Sequence, residues 1–163
     1  MADLPHDRAV FVAGGCACPT GLLSALAELP DLLRGRRIVT SFLPGINRVD
    51  PAAGADGPPV EAIFPLSGLP AERQTLIPLA YSDLPHWLAR ECGAVLFQGA
   101  HAPGGVNLGL AADFVPGLAA SGVPLVAEVN PAHPSLPGAP TLPVAAEVVI
   151  ETPLVTYDPG PVG

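Results

Sequence analysis

Lysine is missing altogether: the seven basic residues of this 163-residue chain are all arginine, against fifteen Asp and Glu, for a formal net charge of −8. That excludes a P-loop lysine, a Schiff-base lysine and a basic stripe for nucleic acid, which is not an expected partner. Charged residues make up only 13% of the chain and hydrophobic ones 49%, too apolar a balance for disorder. No apolar run approaches the roughly 20 residues of a transmembrane helix, and the first residues lack the basic and apolar regions of a signal peptide. A cytoplasmic location with no membrane partner is therefore expected. The three cysteines, two of them in Cys16-x-Cys18, are an odd count that makes no disulfide framework and fits a reducing compartment. A zinc site needs four ligands. Cys92 and the four histidines are scattered without ligand spacing, so no metal is expected.

What is abundant is proline and glycine, 22 and 18 residues, placed at the ends of apolar runs. They punctuate a globular pattern. Runs rich in valine and isoleucine at 9–12, 37–42, 60–64, 94–98, 125–129 and 147–151 read as strands, most of them continuously apolar and so buried on both faces. Between them, helices are expected over 20–33, with Leu22, Leu23, Leu26 and Leu29 on one stripe, over 82–91 behind a Ser82/Asp83 cap, and over 110–120. Strand and helix alternate, which predicts an α/β fold with a mostly parallel sheet. The stretches 51–59 (PAAGADGPP) and 130–140 (NPAHPSLPGAP) read as surface loops. No repeat or composition shift divides residues 1–163, so one domain is expected, and the tail after Ile150 reads as an exit into a linker.

Three segments could carry chemistry. In FVAGGCACPTGLLSALAE a strand runs into Gly14-Gly15 and then a helix; paired glycines admit close approach of a ligand to the backbone, and amides converging there suit a phosphate or an oxyanion. The spacing matches neither dinucleotide nor Walker patterns, and a plain tight turn is an equal reading. Cys16 could be a thiol activated by a helix start, although no histidine holds a recognisable partner position. In VLFQGAHAPGGVNLG a strand is followed by a glycine-rich turn carrying Gln98, His101, Gly105 and Asn107, at the kind of strand end where open α/β sheets bind ligands. In PLVAEVNPAHP, Glu128 and Asn130 close a very apolar strand. A carboxylate there is either satisfied by neighbouring amides or arginine, or faces a cleft.

In this order the segments resemble the N-terminal half of the acetyl-CoA hydrolase/transferase family, which includes 4-hydroxybutyrate CoA-transferases. DRAVFVAGGCACPTGLLSALAE resembles its opening strand, glycine turn and helix. Arg73 with IPLAYSDLP is similar to its arginine and P-x-x-x-S segment, GGVNLGLAADF to its S-L-G stretch, and LVAEVNPAHPSLPG to its I-A-E-V-N-x-x-x-P signature. The resemblance implies an open, mostly parallel CoA-transferase-like sheet of the NagB/RpiA type flanked by helices. It also implies transfer of coenzyme A from an acyl-CoA to a carboxylate through a glutamyl-CoA thioester. In that family the nucleophilic glutamate belongs to the C-terminal half, so no residue here is assigned as catalytic. The expected role is one subunit of a split enzyme, a hetero-oligomer completed by a C-terminal-half partner chain. Gly14, Gly15, Cys16, His101, Gly105, Asn107, Glu128 and Asn130 are the expected substrate-binding residues. An acyl-CoA thioester hydrolase subunit and a non-catalytic binding or scaffold module are the alternatives.

Overall fold

A computed structural model describes residues 7–54, 57–66 and 68–155. The central strand β1 (Ala9–Val12) reads Ala-Val-Phe-Val, and every residue in it is buried. The reason is that both of its faces are covered. Val10 and Val12 point into one apolar layer with Leu23 and Leu26 of helix α1 (Thr20–Ala27), while Ala9 and Phe11 point into another with Leu84 and Leu88 of α2 (Leu84–Glu91) and Val115 and Leu118 of α3 (Val115–Ala120). A continuous apolar run is what a parallel strand between two helical layers requires.

The remaining strands are β2 (Ile38–Thr40), β3 (Val60–Ala62), β4 (Gln74–Leu76), β5 (Cys92–Ala102), β6 (Gly105–Asn107), β7 (Leu125–Val129), β8 (Thr141–Leu142) and β9 (Ala146–Val149). They make one nine-stranded sheet. Its parallel part runs β4-β3-β2-β1-β5-β7-β9. β5 continues past this core into an antiparallel branch with β6 and β8. The order steps outward from β1 in one direction through β2, β3 and β4, then restarts on its other side with β5. The β1/β5 boundary is therefore the point where strand order reverses, and ligands of open α/β sheets bind outside the carboxyl ends of the strands at such a point.

Several expected boundaries shift for local reasons. The helix expected over 20–33 stops at Ala27, because Pro30 opens a separate 3-10 turn at Pro30–Leu32. The one expected over 110–120 starts only at Val115, because Asp113 takes a left-handed φ of 47° that no helix accommodates. β4, β6 and β8 were not expected as strands; they are short and partly polar. The tail is also corrected over its described part. Thr152 hydrogen-bonds within the core network described below, and Ile150 and Thr152 lie against Gly21, so 150–152 pack on the fold as a strap. Residues 156–163 lie outside the described residues.

The far side of the sheet is barer. All four residues of β9 are exposed, including Val148 and Val149.

Candidate functional site

At the carboxyl end of β1 the chain turns through Gly14 and Gly15 into a 3-10 turn at Gly15–Ala17. Gly14 has an ordinary φ of −103°. Its need for glycine is steric: a Cβ there would stand 2.3 Å from the Ser41 carbonyl oxygen. Ser41 directly follows β2, so the turn is pressed onto the end of the neighbouring strand. Gly15 is the opposite case, with a left-handed φ of 57° and ordinary room around it.

The amides of this turn are taken up by side chains. The Gly14 N–H donates to Ser41 Oγ (2.9 Å) and to Asp113 Oδ2 (3.0 Å), and the Ser41 hydroxyl donates to the same Asp113 oxygen. Asn47 clamps Gly15: its Oδ1 accepts from the Gly15 N–H (2.8 Å) and the Leu43 N–H (2.9 Å), and its Nδ2 donates to the Gly15 carbonyl (3.0 Å). Asp113 is exposed as a residue, yet its carboxyl is turned inward onto these donors. The loss of water around that carboxyl pushes its pKa up, opposed by hydrogen bonds from Ser41, Gly14 and Phe114.

Behind the turn lies a second cluster. Gln98 of β5 and Glu128 of β7 are register partners, so their side chains share a face. Glu128 is fully buried, and three donors satisfy it: the Leu22 amide to Oε2 (2.7 Å), Gln98 Nε2 to Oε1 (2.9 Å) and the Thr152 hydroxyl to Oε1 (2.9 Å). Leu22 is the third residue of α1, where amides have no intrahelical acceptor and negative charge is favoured. Of the two readings the sequence left open for Glu128, the geometry is satisfaction by neighbouring amides. Asn130, also buried, donates to Gln98 Oε1 (3.2 Å) and to the Thr152 carbonyl (2.8 Å). Gln98 in turn donates to the Cys18 carbonyl (3.3 Å), which joins this cluster to the glycine turn.

The structure thus brings Gly14, Gly15, Cys16, Glu128 and Asn130 to one end of the sheet. It spreads the other candidates along the β5–β6 branch. His101 is exposed, and Gly105 (φ 145°) is pressed against the Leu142 carbonyl. Asn107 is committed to a loop, donating to the Ala139 carbonyl (3.1 Å) and the Thr141 hydroxyl (3.1 Å) and accepting from the Gly109 and Leu136 amides. Sequence reasoning missed Ser41, Asn47, Asp113 and His133. His133 is only 4% exposed, lies under Gly109, and faces the Cys16 backbone without a well-formed bond to its Nε2. Burial lowers its pKa, opposed by the Pro134 and Cys16 backbone. The one signal for it was its place in the loop after β7.

Among the described residues no group of His, Cys, Asp and Glu could hold a metal ion. Cys18 is buried, and its thiol is pushed well up by burial and then by the charge of Glu128; Cys92 is pushed up to about 12, chiefly by burial. Cys16 alone is partly exposed. Alkylation of the native chain with iodoacetamide is accordingly expected to mark Cys16, with Cys18 and Cys92 reacting only after unfolding. Peptide mass spectrometry reads this directly, and native labelling of Cys18 would contradict the closed turn.

An apolar cleft of about 630 Å³, lined by Arg37, Glu61, Leu76, Ile77 and Trp87 among others, lies on the outer strands β3 and β4. None of the glycine-turn residues lines it, and Arg37 there is paired with Glu61 and Glu91. The reversal of strand order lies at the glycine turn and not at this cleft, which makes the turn the candidate site.

No family model matches the chain, and no curated protein matches it in sequence. Solved structures do. RipA from Yersinia pestis superposes with a TM-score of 0.61 at 18% identity, over 93% of this chain and 42% of its own. A variant of RipA gives 0.67 at 18% identity, over 94% and 42%. A 4-hydroxybutyrate CoA-transferase from Porphyromonas gingivalis gives 0.59 at 16% identity, over 94% and 38%. The chain therefore spans less than half the length of each of these proteins. Likeness at such identity is a likeness of fold, and the fold of this chain is the mixed α/β, mostly parallel arrangement of the CoA-transferase-like proteins.

Proposed function

We propose that this chain supplies one half of a CoA-transferase-like active site, and that a second polypeptide half supplies the nucleophilic glutamate. The observation that carries the reading is the state of Glu128. The glutamate at this end of the sheet has both oxygens committed to holding α1, Gln98 and Thr152, so the attacking carboxylate comes from elsewhere. The relatives in fold are more than twice as long as the matched region, which leaves room for a half of that kind.

In the proposed reaction the partner's carboxylate attacks the thioester carbonyl of an acyl-CoA, expelling CoA as a thiolate and leaving a mixed acyl-glutamyl anhydride. The thiolate returns to the glutamyl carbonyl and expels the acyl carboxylate, leaving glutamyl-CoA. An acceptor carboxylate then runs both steps in reverse. This chain's part is to offer the Gly14–Cys16 turn as one wall of the cleft, with Glu128 and Asn130 fixing the floor beneath it.

Reconstitution with the C-terminal-half chain and incubation with acetyl-CoA tests the reading. Peptide mass spectrometry is expected to find a CoA adduct on a partner glutamate, with acyl transfer to an added carboxylate. Release of free CoA without transfer would assign a hydrolase instead. An assembled complex that shows neither adduct nor turnover would overturn the proposal in favour of a binding module.

A further inference from the structure

We infer that Asp113 is a built-in occupant of a carboxylate subsite, and that a ligand carboxylate must displace it to reach the Gly14 amide. The inference rests on the reading above only for the identity of the natural ligand. Its physical basis is a carboxylate already seated there: one Asp113 oxygen accepts from both the Gly14 N–H (3.0 Å) and the Ser41 hydroxyl. The two donors come from the carboxyl ends of β1 and β2, beside the reversal of strand order. A charged acceptor on an amide and a hydroxyl is the stronger class of hydrogen bond, so the pair selects for an anionic oxygen.

What separates Asp113 from an ordinary structural cap is the side from which it arrives. Glu128 and Ser41 belong to the interior and cannot leave without opening it. Asp113 is exposed, on the segment between Gly109 and α3, and its carboxyl reaches inward from the solvent side. Rotation of that one side chain opens the second acceptor position of the Gly14 N–H, which keeps its bond to Ser41 Oγ (2.9 Å), and frees the Ser41 hydroxyl to donate to a ligand oxygen. The seated carboxylate also states what the subsite accepts: one carboxyl oxygen within hydrogen-bond reach of both the Gly14 amide and the Ser41 hydroxyl.

Because binding requires the subsite to be vacant, the apparent affinity for an added carboxylate is the intrinsic one scaled by the vacant fraction. Asp113→Gly removes the occupant and suits the left-handed φ of 47°. Asp113→Asn keeps a residue tolerant of that conformation while removing the charge, and it serves if the glycine variant does not fold.

The test is titration of the ¹⁵N-labelled full chain with sodium acetate, following the Gly14 amide resonance, with sodium chloride at matched ionic strength as control. The expected result is a saturable Gly14 shift in Asp113→Gly at a concentration about tenfold or more below any seen for the wild type, the ratio set by the vacant fraction. Adding Ser41→Ala to that variant is expected to weaken binding again. Absence of a saturable shift in a folded variant would overturn the inference, as would equal affinity in the wild type or an identical response to chloride. The titration uses neither acyl-CoA nor a partner chain, so its failure and a failure to observe CoA transfer are separate results.

Discussion

Replacing Gly14 by alanine is expected to lower the melting temperature by roughly 6–12 °C, the equivalent of about 3 kcal/mol in a chain of this length. The backbone angles at Gly14 suit any residue, so the cost is one of space. An added Cβ would meet the Ser41 carbonyl oxygen at 2.3 Å and its carbon at 2.6 Å. Neither is the end of a flexible side chain that can swing away. The turn must lift off the end of β2, and in lifting it gives up the bond from its amide to Ser41 Oγ. Gly15→Ala makes the contrast. There the nearest atom to an added Cβ is Leu43 Cδ1 at 3.7 Å, and only the φ of 57° is unfavourable, a cost of about 1 kcal/mol. Thermal unfolding followed by far-UV circular dichroism ranks the two. If Gly15→Ala proves the more damaging, the close contact with β2 is wrong.

Glu128→Ala is expected to cost about 3–5 kcal/mol, because three buried donors lose their acceptor at about 1–3 kcal/mol each, less what local relaxation recovers. The substitution leaves the Leu22 amide, a Gln98 N–H and the Thr152 hydroxyl without their acceptor, and it leaves a cavity where α1 begins. Glu128→Gln separates charge from shape, since it keeps an oxygen for the Leu22 amide but presents an NH2 group to donors; a smaller loss, about 1–3 kcal/mol, is expected. Urea unfolding monitored by Trp87 fluorescence gives both values, provided the slopes agree with the wild type. A loss under about 1 kcal/mol for the alanine variant would show that the network is not what fastens α1 to the sheet.

The parts of this structure that could be read from the chain are those in which burial on two faces writes itself as composition. Strands 9–12 and 125–129 were placed to the residue because Ala-Val-Phe-Val and the run before Glu128 have no other environment to suit. β5 proved longer than the apolar run 94–98, continuing through Gly99 and His101 into its antiparallel branch, because a strand that gains a second partner can go on after its apolar residues end. β4, with its residues Gln74, Thr75 and Leu76 mostly open to solvent, owes its strand state to β3 alongside it, and nothing in the chain announces that. The site divides in the same way. Gly14 and Gly15 were visible because glycine pairs at strand ends have few uses. Asp113, Ser41 and Asn47, which fill those amides, were not. They lie 99, 27 and 32 residues away, and which polar side chain reaches a given amide is decided by tertiary folding.

Thr152 has a mechanical consequence. Its hydroxyl bonds Glu128 and its backbone carbonyl holds Asn130, while its methyl and that of Ile150 rest on Gly21. The strap is thus tethered beside the amino end of α1, with Glu128, which accepts from the Leu22 amide, as its anchor. Tension applied to the strap would load Thr152 and, through Glu128, the Leu22 amide in the first turn of α1, so this one residue couples the end of the described chain to the start of the first helix.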